Sequence, residues 1–185
     1  MSSDWPRIIS RSVTAISPWV DLIAREVKFS PAAAPELYHA VKTADYVIML
    51  AVTPDGRIPW VHQYRPALEA FTLELPAGLV DQDEDPAATA SRELLEETGY
   101  PTLTVEALGV AAVDSGRSST RAHSFFIRTG ERIEPFMPED GVTTRLVTQT
   151  ELVQLVCDGT LGVQVQLGTL LQAAARGFLQ IGSTP

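Results

Sequence analysis

Apolar positions along the chain switch between two periods, and the switches mark the elements. Residues 45–52, DYVIMLAV, form an unbroken apolar run of strand length, the pattern of a strand covered on both faces. TPDG at 53–56 places Pro and Gly in turn positions and IPWVHQY returns, so 45–64 predicts a hairpin, with Pro59 putting the start of the second strand at an edge or a bulge. WVDLIAREVKF (19–29) alternates loosely. FTLEL (71–75) alternates cleanly before PAG interrupts it, which places Glu74 opposite Leu73 and Leu75, away from the core. Further strands are expected at 103–113, 122–128 and 142–147.

Three stretches carry the helical period together with start and stop signals. Asp85 caps the first, Pro86 occupies its first turn and Gly99 ends it. Thr148 and Glu151 form a capping box for a second helix that stops at Gly159. A third runs over 164–176 and places Leu167, Leu170, Leu171 and Ala174 on one face before Gly177. The Pro- and Gly-punctuated stretches SPAAAP (30–35) and EPFMPEDG (134–141) read as loops. Strands and helices in this order predict an α/β (α+β) layered domain with a mixed sheet.

Composition narrows the picture. At 185 residues and 45% apolar, one domain with one good core is the default. The net charge is −9, and the segment from Gly78 to Gly99 alone holds seven acids against one base, a net of −6. With the remaining surface nearly neutral, no basic face is available for nucleic acid and no Lys/Arg cluster for an anionic membrane. No apolar run approaches the ~18 residues of a spanning helix, and MSSDWPRIIS lacks the basic start and apolar core of an export signal; a cytoplasmic protein is expected. The single Cys157 agrees with a reducing compartment, and its apolar helical setting predicts a small buried side chain. His39, His62 and His123 fall in strand patterns without metal-ligand spacing and read as structural.

The acidic segment is chemistry rather than decoration. On a helix, Glu97 lies about 40° and Glu96 about −60° from Glu93, so the three carboxylates share one side, and Ala87, Ala88, Leu94 and Leu95 occupy the opposite arc that should pack on the sheet. Like charges at this spacing repel, and Glu96 and Glu97 stand in the last turn, where the helix dipole disfavours them. A hard divalent cation reverses that sign, because Mg²⁺ and Mn²⁺ take carboxylate and carbonyl oxygens.

Gly78, Glu84, Arg92-Glu93-Leu94, Glu96-Glu97, Gly99 and Tyr100 stand at the spacings of the Nudix box, and the chain resembles that family in every box position. The resemblance implies a Nudix-type α/β/α sandwich and metal-dependent hydrolysis of a nucleoside diphosphate linked to another moiety. It implies Glu93 and Glu97 as direct ligands of Mg²⁺ (or Mn²⁺), with Glu96 as a third or water-mediated one. Glu84 and Arg92 would hold the box together through a salt bridge, and Gly78 and Gly99 would serve backbone geometry.

HQYRPALEAFTLELPAG, from His62 to Gly78, looks like the ADP-ribose pyrophosphatase branch of that family. The resemblance adds the Ala77 carbonyl as a metal ligand and Arg65 as a phosphate contact; the alternative for Arg65 is a surface arginine beside Pro66. Glu74 is offered to substrate or to its own neighbours. Members of the branch are often homodimers whose N-terminal strands cross to the partner, which divides the chain into a strand region at 1–44 and a hydrolase domain at 45–185. Trp19 and Tyr38 in that region are offered as base-stacking residues, with ordinary packing as the alternative. Where the branch carries a Pro beyond its box, this chain has Ser115 in Asp114-Ser115-Gly116-Arg117; Gly116 is placed on the substrate side, and the departure admits nucleoside diphosphate sugars other than ADP-ribose. The loop PFMPEDGV supplies Glu139 and Asp140 as candidate bases for the attacking water, with a box glutamate as fallback. Two other readings stay open. One is a pyrophosphatase acting on nucleoside triphosphates or dinucleotides, against which the PAG entry argues. The other is a sensor that binds a nucleotide sugar without turnover, against which the complete set of box carboxylates argues.

Overall fold

The structure, a computed structural model, describes residues 5–180. Its elements run β1 (Arg7–Ser17), β2 (Val20–Lys28), β3 (Glu36–Lys42), β4 (Tyr46–Val52), β5 (Ile58–Arg65), β6 (Ala70–Glu74), β7 (Ala77–Leu79), α1 (Pro86–Thr98), β8 (Thr102–Ala112), β9 (Arg121–Thr129), β10 (Thr143–Val147), α2 (Gln149–Cys157) and α3 (Gln164–Ala175). They divide into two compact units. The first takes the chain up to Asp45 together with Ala112–Arg121, and the second takes Tyr46–Ala111 and the chain from Ala122.

The first unit is an antiparallel sheet in the order β1-β2-β3. The segment after β8 joins it through main-chain bonds to Val41, from Val41 N to Arg117 O at 2.8 Å and from Ser119 N to Val41 O at 3.0 Å. Such a long-range pairing leaves no local sequence signal, and it brings Ala112–Arg121 into this unit. β1 is exposed along nearly its whole length, with Val13 57% and Ile16 62% accessible.

The second unit carries two sheets, β7-β4-β9-β8 and β10-β5-β6. β4 runs parallel to β9 and antiparallel to β7, and its run Val47–Ala51 is fully buried. Alternation sends Val47, Met49 and Ala51 against Ala90 and Leu94 of α1, while Ile48 and Leu50 join Trp60, Val147, Leu152 and Leu170 on the other side. Helices on both faces of this sheet make the α/β/α sandwich, as the continuous apolar run requires.

Several sequence expectations change. The TPDG turn forms, with Thr53 N bonded to Arg57 O at 2.9 Å, yet β4 and β5 do not pair as a hairpin; they enter different sheets because β4 finds β9 as its partner. Pro59 does sit at an open edge: it faces Leu146 of β10, and pairing with β6 begins only at Val61. Glu74 is 4% exposed rather than turned from the core, because polar partners satisfy it there. The buried face of α1 is Thr89, Ala90, Leu94 and Thr98, leaving Ala88 and Leu95 exposed. In α3 the buried set is Gln166, Thr169, Leu170 and Ala173, while Leu171 is 66% exposed. Two hydrogen-bonding side chains turn that helix inward, since Thr169 Oγ1 meets Ser124 Oγ at 2.9 Å. Cys157, at the end of α2, is exposed. No described helix is long and apolar enough to cross a membrane.

Candidate functional site

The acidic segment forms as its caps dictate. Asp85 Oδ2 accepts from Ala88 N at 3.2 Å, Pro86 opens α1, and Gly99 closes it at φ 76° with its N–H on Leu95 O. Further donors fix the helix end: Thr144 Oγ1 bonds Glu97 O at 3.0 Å and Arg132 Nε bonds Thr98 O at 3.1 Å. These answer carbonyls that a helix terminus otherwise leaves open.

Short strand β7 delivers Ala77 and Gly78 to the side of α1 that holds the glutamates. A Cβ on Gly78 would lie 2.0 Å from Cδ of Glu93, so the Glu93 carboxylate occupies the space that any other residue would fill. Glu97 Oε2 accepts from Ala77 N at 3.0 Å. Arg92 reaches Glu84 through Nε and Nη2, at 3.2 and 3.0 Å, and its Nη1 lies 2.7 Å from Glu93 and 3.0 Å from Glu96. Glu96, with half its side chain exposed, therefore leans toward Arg92.

Electrostatics separate these acids. Burial pushes the Glu97 carboxyl up to about 8; the Ala77 N–H opposes the rise and the Glu93 charge adds to it. Burial also raises Glu93, opposed by Arg92 and reinforced by Glu96 and Glu139. The Arg92 hydrogen bond holds Glu84 below the usual range. Two half-buried carboxylates one helical turn apart, both raised, form a place where added positive charge is favourable. Among the described residues no three His, Cys, Asp or Glu side chains gather closely enough to hold an ion by themselves. Mg²⁺ does not require that, since it keeps several waters and uses one or two carboxylates. The hard oxygen donors of Glu93, Glu97 and Ala77, set around a glycine that makes room for them, fit such an ion.

Beside them opens a pocket of about 270 Å³, lined by Arg65, Glu74, Ala77, Gly78, Tyr46 and Gln166 among others. Arg65 grips Glu74 with two bonds, Nε to Oε1 at 2.8 Å and Nη2 to Oε2 at 2.7 Å. Thr72 and Gln166 also donate to Glu74. Burial pushes the Glu74 carboxyl up, but these bonds and the Arg65 charge outweigh it and hold it below its ordinary value. Gln166 escaped the sequence reading. Its one signal was a polar residue at helical spacing from Leu170 and Ala173 on a face otherwise read as apolar.

The other candidates belong to the loop before β10 or to the first unit. Glu139 and Asp140 are both exposed on the loop before β10, and the Glu139 charge adds to the rise of Glu93. Trp19, 72% exposed, sits in the tight turn between β1 and β2, and Tyr38, in β3 opposite Arg25, donates to Glu36 at 2.9 Å and meets Phe29 edge-on. That register sets Trp19 and Tyr38 roughly 20 Å apart along β2, so within one chain they do not make a single clamp. Gly116 lies in a turn of the first unit where its N–H bonds Asp114 Oδ1 at 2.9 Å.

Comparison with known proteins identifies the fold and the box together. Residues 42–158, more than half of the chain, match the family described as NUDIX domain. The chain is 42% identical over 81 residues to the ADP-ribose pyrophosphatase of Bacillus subtilis (strain 168), covering 44% of this chain and 43% of that protein. It is 41% identical over 63 residues to the ADP-sugar pyrophosphatase of Mus musculus, covering 34% of this chain and 29% of that protein. The matched stretch thus spans less than half the length of either relative. A crystal structure of an ADP compounds hydrolase superposes with a TM-score of 0.77 over 97% of this chain and 100% of that one, at 17% identity, which speaks for the fold. With the box complete from Gly78 to Tyr100 and seated on an α/β/α sandwich, the chain belongs to the Nudix hydrolase family.

Proposed function

We propose that this chain hydrolyses the diphosphate linkage of a nucleoside diphosphate sugar, of the ADP-ribose type, to a nucleoside monophosphate and a sugar phosphate, with Mg²⁺ or Mn²⁺ as cofactor. The observation that carries the reading is the seating of Glu93 in the space left by Gly78, with Glu97 on the Ala77 N–H, beside a pocket that also presents Arg65. The names of the relatives favour an ADP-linked substrate. Glu93, Glu97 and the Ala77 carbonyl would hold the cation, with Glu96 through water, and the cation would supply positive charge for the phosphate oxygens and a more acidic water.

The chain's own groups do the rest. Arg65, fixed by Glu74, offers its remaining guanidinium N–H groups to phosphate oxygens. Glu139 accepts the proton of the attacking water, as its influence on Glu93 supports; Asp140 is the second candidate and a box glutamate the third. Trp19 and Tyr38 stack on base surfaces as separate contacts, and Gly116 belongs to the substrate-binding set. A cytoplasmic homodimer built through the strands of residues 1–44 belongs to the same reading, supported by the lone cysteine and the exposed apolar side chains of β1 and β3.

The test is product release from ADP-ribose, ADP-glucose, GDP-mannose, NADH, diadenosine polyphosphates and nucleoside triphosphates, each with Mg²⁺, Mn²⁺ or chelator. The expected result is metal-dependent cleavage of a diphosphate sugar to a monophosphate and a sugar phosphate. Preference for triphosphates or dinucleotides would move the chain to the alternative pyrophosphatase class, and tight binding without turnover would make it a sensor.

A further inference from the structure

Helix α3 buries an amide where its neighbours bury methyl groups. Gln166 is 3% exposed and shares the inner face with Thr169, Leu170 and Ala173. Both ends of its side chain are engaged: Oε1 accepts from Leu75 N at 2.9 Å, and Nε2 donates to Glu74 Oε2 at 3.1 Å. The Leu75 N–H can only donate, so Oε1 must face it and the amino end is left for the carboxylate. A methionine or leucine would fill this face but leave the buried Leu75 N–H without an acceptor, so the bond to Leu75 answers that donor and the bond to Glu74 is the additional one. The bonds from Gln166 to Glu74 and from Glu74 to Arg65 therefore do something packing does not require.

What they do is fix a guanidinium. Glu74 engages Nε–H and one Nη2 hydrogen of Arg65, and a guanidinium has five such donors. The side chain remains 39% exposed and lines the pocket with Ala77 and Gly78. An arginine already held in place loses less rotamer freedom when an anion binds.

We propose that Gln166 is a positioning residue for diphosphate recognition: through Glu74 it holds the Arg65 guanidinium in the pocket at Ala77 and Gly78, ready for a substrate phosphate. The proposal rests on the hydrolase reading above for the identity of its ligand. It concerns binding and not bond breaking, so its mark is a rise in KM with kcat kept.

Gln166→Glu keeps the shape and the acceptor for Leu75 but sets a carboxylate against Glu74; Gln166→Met keeps the volume and removes both bonds. Each is expected to raise KM for ADP-ribose about tenfold and to leave kcat within about twofold. The Kd for ADP, read by titration calorimetry with Mg²⁺, rises by a similar factor. In an Arg65→Ala background the same substitutions change KM and Kd by less than about twofold, because Gln166 acts only through Arg65. Thermal melts establish folding, and Gln166→Met serves where Gln166→Glu unfolds. Equal effects in both backgrounds, or a fall in kcat with KM unmoved, overturn the positioning role while hydrolysis stands. A wild type that cleaves nothing, yet binds ADP more weakly on Gln166→Glu, overturns the hydrolase reading alone. A wild type that neither cleaves nor binds ADP overturns both.

Discussion

An added methyl at position 78 would meet the Glu93 side chain, 2.0 Å from Cδ and 2.4 Å from Cγ, so Glu93 must swing its carboxylate out of that space. Gly78→Ala must displace the flexible Glu93 carboxylate, with an expected loss below about 1 kcal/mol in stability and a fall in turnover of about 100-fold or more, read by melting and by rate. Glu97→Gln tests the partner acid from two directions. The Glu97 carboxyl ionises near 8 in the folded chain against an ordinary 4.5, so between those values the folded chain keeps a proton that the unfolded chain has released. Stability of the chelated wild type therefore declines as pH rises from about 4.5 to about 8. Melting temperatures of Glu97→Gln without metal should lose most of that decline, Glu93 keeping the rest, while its metal-dependent rate drops by about 100-fold. Gain of one with loss of the other is what an acid kept for a cation would give.

The elements were legible where their signals are local. Asp85 beside Pro86, Thr148 beside Glu151 and the left-handed Gly99 all act within one turn, and each does in the structure what its spacing indicates. Asp85→Ala is expected to cost about 1 kcal/mol in global stability, measured by denaturant unfolding, because it leaves an N–H of α1 without its acceptor. Signals failed where the deciding partner is distant. The turn at 53–56 looks like a hairpin until β9 takes the place beside β4, and hydrophobicity alone sees Leu171 as core because it cannot know that Gln166 and Thr169 have partners inside. The box itself was fully readable, since its spacing is short and dense in charge. Its electrostatic division, with Glu97 and Glu93 raised and Glu84 lowered, was not, because burial decides it.

For the whole molecule, the exposed apolar side chains of β1 set a further expectation. Val13 and Ile16 are exposed on a strand that nothing among the described residues covers, and exposed apolar surface of that kind favours association. Light scattering at micromolar concentration should report a dimer, and Val13→Glu should shift it toward monomer; a monomeric wild type would remove the dimer from the reading. The structure also supplies the means to count copies. The sequence holds one cysteine, and its side chain is exposed at the end of α2, so a maleimide dye attaches once per chain without any engineered site. The number of bleaching steps from a single labelled particle then equals the number of subunits in it.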